Sequence, residues 1–146
     1  MSVLPNYVPR AYNTITINLI VPDADRAIKF YNSAFDAELL MKLEDPVGRV
    51  LHAEIKIDGT ILMLSEGEVT GGENPVILQL YTGDVEGLWE QAISAGAQEV
   101  SPIKVEFYGD RAGKLKDPFG FYWRLATHME DVPPRELQKR FHEIFS

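Results

Sequence analysis

The residue with the most distinctive chemistry in this sequence is Arg124, which lies in the stretch DPFGFYWRLA. The aromatic-rich second half of this stretch predicts a strand. Because side chains alternate along a strand, Tyr122 and Arg124 share one face, and Trp123 and Leu125 share the other. A guanidinium on a mostly apolar inner face requires an anionic partner. That partner is either a carboxylate of the chain, such as Glu54, or the anion of a ligand.

Two histidines near acidic residues are further candidates for chemistry. His52 and Glu54 lie two residues apart in a predicted strand, and therefore on one face, where they could act as general acid and base. A solvated or dimer-facing strand is the stronger interpretation, because no nucleophile and no third orienting group accompanies them. His128 follows the last strand and is assigned a structural role. Asp110 and Arg111 lie in a predicted Gly-flanked loop, for which an ion pair within a turn is the stronger interpretation and closure over a binding site is the alternative.

A repeat of 61 residues organises the elements that must position these side chains. The same offset relates turn glycines, helix-capping aspartates and strand residues in the two halves of the chain: Gly59 and Gly120, Asp23 and Asp84, Asn18 and Gln79, and Leu64 and Leu125. The offset indicates two copies of one supersecondary unit. The predicted fold class is α+β, with two β-α-β-β-β modules in a single domain over residues 1–146.

The patterns predict the elements of each module. Module one covers about 13–66, with strands at Asn13–Val21, Glu38–Lys42, Val50–Ile57 and Thr60–Ser65 and a helix from Asp23 to about Phe35. Module two covers about 75–127, with strands at Pro75–Thr82, Glu99–Ile103, Val105–Tyr108 and from Leu115 onward, and a helix capped by Asp84 and ended by Gly96. Residues 66–74 form a linker, 109–113 a loop, and about 133–145 a C-terminal helix.

Composition narrows the possible partners. The 146 residues carry a net charge of −8 and no cysteine, which excludes disulfides and thiolate metal sites. An acidic chain without a basic cluster predicts no nucleic-acid partner, although it would tolerate or attract a cationic ligand. No apolar run reaches the length of a membrane span, so no membrane partner is expected. The N-terminus lacks the pattern of a signal peptide, which favours the cytoplasm.

Several motifs resemble the vicinal oxygen chelate superfamily, which includes glyoxalase I, bleomycin- and fosfomycin-resistance proteins and extradiol dioxygenases. The strand-to-helix junction VPDADRAIKFY and the DPFG…W hairpin carry this resemblance over roughly Asn13 to Val132. The segments HAEIKIDGTILMLSE and YGDRAGKLKDPFGFYWRLATHMEDV resemble its PhnB-like branch. The resemblance implies that the modules form a curled β-sheet cup with the helices outside. It also implies a homodimer, in which the two modules of one cup come from one chain or from different chains.

The enzymes of this superfamily hold a divalent metal in the cup with His or Glu from the first and last strands of each unit. The resemblance places those positions at Thr16, Met63, Ile77 and Arg124. None of these is a usual ligand, and a fixed positive charge would repel a cation. We therefore expect no metal and no cofactor. The predicted ligand-binding residues are Arg124, Tyr122, Gln79, Tyr81, Asn18, Thr16, Met63 and Ile77, with the last two forming an apolar floor.

Three functions are compatible with these features. The favoured one is a metal-free protein that binds an unidentified small molecule in the cup, in the manner of the bleomycin-resistance branch. The second is a metal-dependent or metal-free enzyme of the lyase, isomerase or dioxygenase type, whose catalytic residues the sequence does not identify. The third is a dimeric interaction domain whose cup is filled by its own side chains.

Overall fold

A computed structural model describes residues 8–9, 11–68 and 74–145 of the chain. The chain divides into two compact units, residues 1–71 and 72–146. The first contains β1 (Asn18–Val21), α1 (Ala24–Phe35), β2 (Glu38–Glu44), β3 (Val50–Ile57) and β4 (Thr60–Glu66). The second contains β5 (Ile77–Tyr81), α2 (Val85–Ala95), β6 (Gln98–Val105), β7 (Asp110–Lys116), β8 (Tyr122–His128) and α3 (Pro134–Ile144). Parts of the predicted lead-in and linker, residues 1–7, 10 and 69–73, lie outside the described residues.

Each unit forms its own four-stranded mixed sheet. The strand orders are β1-β4-β3-β2 and β5-β8-β7-β6, with the first and last strands of each unit paired in parallel. Asn18 lies beside Met63 in the first sheet, and Gln79 lies beside Arg124 in the second. The registers therefore repeat with the 61-residue offset of the sequence. The α+β class with two β-α-β-β-β modules is confirmed.

Helices α1 and α2 begin and end where the sequence predicts. Asp23 accepts a hydrogen bond from the backbone N–H of Arg26, and Asp84 accepts one from that of Gly87. Each cap satisfies one of the free N–H groups of a helix start. Gly96 ends α2 with a φ of 124°, which favours glycine. Both helices pack on one face of their own sheet.

The first strand is shorter than predicted. β1 begins at Asn18, and Thr16 lies before it, where its hydroxyl donates to the carbonyl of Asn13 at 3.4 Å. The backbone pairing with β4 extends one residue before β1, because the N–H of Met63 donates to the carbonyl of Ile17 at 2.9 Å. In the segment before it, the local hydrogen bond of the Thr16 hydroxyl takes the place of regular ladder pairing.

The turn between β6 and β7 and the start of β7 also differ from the prediction. Residues 106–109 form the turn, and Asp110 and Arg111 belong to β7 rather than to a loop. The turn is closed by the N–H of Gly109, which donates to the carbonyl of Glu106 at 3.1 Å. Gly109 has a φ of 99°, whereas Gly113 lies within the strand. Arg111 forms its ion pair with Glu86 of α2.

Asp117 fixes the turn that leads into β8. Its carboxylate is buried and accepts hydrogen bonds from the N–H groups of Phe119 and Phe121 at 2.9 and 3.0 Å. It also accepts one from the indole Nε1 of Trp123 at 2.9 Å. Hydrogen bonds to a charged acceptor are stronger than neutral ones. The carboxylate therefore fixes both the turn and the face on which Trp123 lies.

The last helix is the predicted C-terminal one. α3 starts at Pro134 and places Phe141 and Ile144 on its surface, where each is exposed. Arg140 ties the helix to the second unit by donating to the backbone carbonyl of Phe107 at 3.1 Å and to Glu130. Among the described residues, no helix has both the length and the apolarity needed to cross a bilayer.

Gly113→Ala is expected to destabilise the protein by about 2 kcal/mol, because there is no room for an added methyl group. A Cβ at this position would lie 2.7 Å from a ring carbon of Trp89 and 3.0 Å from the backbone nitrogen of Ile103. Urea unfolding of both proteins measures the change. Gly59→Ala is the control, because a methyl group added there would have no neighbour within 4 Å, and it should change stability by less than about 0.5 kcal/mol. Equal effects of the two substitutions would contradict the close packing of α2 on β7.

Candidate functional site

The second sheet has one face covered by α2 and one face that α2 leaves open. On the covered side, Trp123 and Leu125 are buried, and the N–H of Val85 at the start of α2 donates to the hydroxyl of Thr127 at 3.0 Å. The neighbouring residues of β8, which include Arg124, therefore lie on the opposite face. We call this face the open face of unit two. Its predicted members are Ile77, Gln79, Tyr81, Tyr122 and Arg124, which are adjacent in the parallel ladder of β5 and β8.

Arg124 is held in place by two groups at the β6–β7 turn. Its Nη2 donates to the hydroxyl of Tyr108 and lies 3.3 Å from a carboxylate oxygen of Glu106. The guanidinium carbon lies 5.6 Å from the centre of the Tyr108 ring, which is within the range of a cation–π contact. Its side chain is 24% exposed. The acid that pairs with Arg124 in this unit is thus Glu106, and the Arg124 side chain is only partly covered.

A second polar network lies at one end of the same face. Tyr81 donates a hydrogen bond to Asp110 Oδ2 at 2.9 Å, and His128 Nδ1 lies 2.7 Å from Asp110 Oδ1. Asp110 is only 2% exposed, so both partners stabilise a buried carboxylate. The hydrogen bond to Asp110 and burial together raise the pKa of Tyr81. His128, which the sequence placed after the last strand, is the final residue of β8.

His128 is arranged to carry a positive charge. Its Nδ1 faces Asp110 and its Nε2 lies 2.7 Å from Asp131 Oδ1. Because carboxylates only accept, the doubly protonated imidazolium satisfies both contacts. The hydrogen bonds to Asp110 and then Asp131 raise the pKa of His128 above its ordinary value of 6.5.

His128→Gln is expected to destabilise the protein at acidic pH and to have a smaller effect at alkaline pH. The unfolded chain binds the proton with the ordinary pKa of 6.5, whereas the folded chain binds it more tightly. The stabilisation is therefore complete below pH 6.5 and is lost as the pH rises through the raised value. Unfolding free energies of both proteins across this range test the expectation, with His142→Gln on α3 as the control. A constant difference across the pH range would show that His128 contributes no charged interaction.

In the first unit, the face of the sheet opposite α1 carries a chain of hydrogen bonds. Ser65 Oγ donates to Asn18 Oδ1 at 3.0 Å and lies 3.2 Å from His52 Nδ1. Because the Ser65 proton goes to Asn18, His52 donates from Nδ1 to Ser65, which leaves its Nε2 as an acceptor. Met63 and Glu54 lie across from each other on this face. The sequence predicted Asn18 and Met63 as site residues but missed Ser65.

The four positions to which the resemblance assigns metal ligands do not fit a divalent cation. They hold a hydroxyl, a thioether, an aliphatic chain and a guanidinium, in Thr16, Met63, Ile77 and Arg124. Biological divalent metals require carboxylate, imidazole or thiolate donors. Within the described parts of the chain, no group of three or more His, Cys, Asp or Glu is placed to hold a metal ion. The donors present on the open face of unit two favour anions.

Sequence reasoning missed two cations on that face. Lys114 and Lys116 lie 5.1 and 5.5 Å from the centre of the Tyr122 ring, and Lys114 is the cross-strand neighbour of Arg124. The alternation of Lys114, Leu115 and Lys116 could have identified them. The predicted strand begins only at Leu115, so this alternation lies partly outside it.

Comparison with known proteins agrees with the fold. Residues 13–125 match the family model of the Glyoxalase/Bleomycin resistance protein/Dioxygenase superfamily, and the chain belongs to this superfamily. An uncharacterised protein of Mycobacterium tuberculosis is 35% identical over 132 residues, which cover 83% of this chain and 78% of that protein.

Two solved structures illustrate the similarity in three dimensions. TioX from Micromonospora sp. ML1 has a TM-score of 0.67 at 24% identity, and the match covers 80% of this chain and 99% of TioX. A Bacillus cereus protein, described as a putative 3-demethylubiquinone-9 3-methyltransferase and as PhnB protein, has a TM-score of 0.66 at 20% identity, covering 79% and 99%. At these identities, both matches show the fold alone.

Proposed function

We propose that this protein is a metal-free member of the superfamily that binds a small molecule, and that it belongs to the PhnB-like branch. The observation that carries the proposal is the partly exposed, positively charged side chain of Arg124 on the open face of unit two. The resemblance places a metal ligand at this position in the enzymes of the superfamily. A permanent positive charge there opposes a cation and offers hydrogen-bond donors to a ligand.

The surroundings of Arg124 favour binding over a purely structural role. A structural arginine is normally covered and fully paired, whereas Arg124 keeps 24% of its side chain exposed. Its two contacts both use Nη2. Gln79 beside it is exposed and adds an amide that can donate and accept. Tyr122 and Tyr108 supply aromatic surface, as small-molecule pockets do.

A metal-free enzyme is the second candidate, and one observation favours it. The Ser65–Asn18 pair orients His52 so that Nε2 is left as a proton acceptor. The third orienting group that the sequence did not reveal is therefore present in the first unit. A proton-transfer role for His52 requires a substrate within hydrogen-bond reach of that nitrogen.

We further propose a homodimer, with the cytoplasm as the expected compartment. Every residue of β2, an edge strand of the first sheet, is exposed in the single chain. Its exposed side chains include Leu39, Leu40, Met41 and Leu43, and Leu51 of the adjacent strand is exposed as well. An exposed apolar edge strand favours association. A second copy of the chain would cover this surface.

The dimer is tested by light scattering after size-exclusion chromatography. The wild-type protein is expected at twice the chain mass of 16.5 kDa. Leu43→Lys should shift it toward the monomer, because a buried ammonium would oppose association. Val47→Lys in the following turn, where Val47 is 88% exposed, is the control. A wild-type monomer at about 100 μM would exclude a stable dimer, since this concentration exceeds the dissociation constants of specific dimers.

Metal-independent binding is the central prediction. In a thermal-shift and calorimetry screen of small molecules, at least one ligand should bind equally well in chelator-treated and metal-supplemented protein. Arg124→Gln should weaken that binding by about tenfold, the effect of losing a charged hydrogen bond, while Arg135→Gln on α3 should leave it unchanged. Elemental analysis should find far less than one metal per chain. Stoichiometric metal, or binding that requires added metal, would reject the proposal.

A further inference from the structure

The open face of unit two concentrates positive charge in a chain that is negative overall. Lys114, Lys116 and Arg124 lie on two adjacent strands, β7 and β8. In the antiparallel register, Lys114 is opposite Arg124 and Lys116 is opposite Tyr122. Gly113 faces α2, as its closeness to Trp89 shows. Its neighbour Lys114 therefore lies on the open face with Arg124.

This arrangement is unfavourable without a counter-ion. Like charges directly opposite each other on one face of a sheet destabilise it. Among the described residues, Glu106 is the carboxylate that pairs with Arg124, and it also lies 4.0 Å from Lys104. Lys114 and Lys116 form no ion pair within the described parts of the chain. Apart from the Asp110–His128 pair at the end of this face, one carboxylate thus serves three cations.

The donors that remain on this face are of the types that bind oxyanions. Glu106 and Tyr108 contact Nη2 of Arg124, and its other N–H groups remain for a planar acceptor. A guanidinium binds carboxylate or phosphoryl oxygens in a two-point fork, and an ammonium adds a point charge. The Tyr108 hydroxyl accepts from Arg124, so its own proton can be donated to a ligand oxygen. The Tyr122 ring, whose centre lies 5.1 and 5.5 Å from the Lys114 and Lys116 ammonium nitrogens, adds aromatic surface.

We propose that the open face of unit two, through Arg124, Lys114 and Tyr108, binds the carboxylate or phosphoryl group of a small organic anion. This inference rests on the proposed function, because it names the class of ligand for the same site. The negative net charge of the chain would by itself favour a cationic ligand. At physiological salt, charges are screened over about 8 Å, so the local cluster rather than the total of −8 determines what binds here.

The probes are benzoate and phenylphosphonate, with benzamide and benzamidine as neutral and cationic molecules of similar shape. Titrations monitored by NMR on the intact protein should show binding of benzoate, of phenylphosphonate or of both. The comparison of the two affinities shows whether the site prefers a carboxylate or a phosphoryl group. Benzamide and benzamidine should bind at least about tenfold more weakly, because they lack the oxyanion. Raising the NaCl concentration from about 20 to about 300 mM should lower the affinity for the anion severalfold.

Matched substitutions assign the effect to this face. Lys114→Gln and Arg124→Gln should each lower the affinity for the anion about tenfold. The controls Lys139→Gln and Arg135→Gln on α3 should leave this affinity unchanged. Lys114→Gln should also leave the melting temperature unchanged or raise it, since it removes a like-charge neighbour of Arg124. A loss of stability would indicate a structural lysine. This second readout keeps the test valid if Arg124→Gln fails to fold.

Different results reject different claims. If neutral or cationic molecules bind without metal and the anions do not, the anion site is wrong while small-molecule binding stands. If the anions bind equally well to Lys114→Gln and Arg124→Gln, the assignment to this face is wrong. If nothing binds unless a divalent metal is added, the proposed function itself fails.

Discussion

The parallel pairing of the first and last strands in each unit is the constraint on which the rest of the structure depends. It places β1 beside β4 and β5 beside β8 at one edge of each sheet, with Asn18 beside Met63 and Gln79 beside Arg124. Because side chains alternate, a shift of one residue would turn Arg124 toward α2 and expose Leu125. The buried residues of β8 and the cap at Val85 oppose that shift. The chemistry of the open face therefore follows from the packing of the covered face.

Asp117 strengthens the same constraint from the end of the strand. Its buried carboxylate holds the turn through two backbone N–H groups and holds Trp123 through its indole nitrogen. A single charged acceptor thus links the entry of β8 to the residue that must lie against α2. The side chain next to Trp123, Arg124, is directed to the opposite face as a consequence.

The sequence was sufficient for the features that depend on local chemistry and on the repeat. Asp23 and Asp84 cap helices because their carboxylates accept from N–H groups three residues later. It was insufficient where two glycines have different roles. Gly109 supplies a positive φ for a turn, whereas Gly113 makes room for Trp89, and the sequence shows only two glycines four residues apart. Interpreting both as loop residues concealed β7 and its two lysines. The start of β1 shows a second limit, because residues 13–17 alternate like a strand, whereas the hydroxyl of Thr16 bonds locally to the carbonyl of Asn13. Alternation in the sequence does not reveal which backbone groups bond locally.

The arginine at the family's ligand position shows how one scaffold can change its chemistry without changing its fold. A bound metal is an exchangeable charge that requires several anionic or imidazole donors. A guanidinium is covalently attached and needs only a partial counter-ion, which Glu106 and Tyr108 provide. Under the proposed function, the missing metal donors remove the attraction for cations, and Arg124 beside Lys114 favours anions instead. The strands and helices pack through the other face of the sheet, so the fold is compatible with either chemistry.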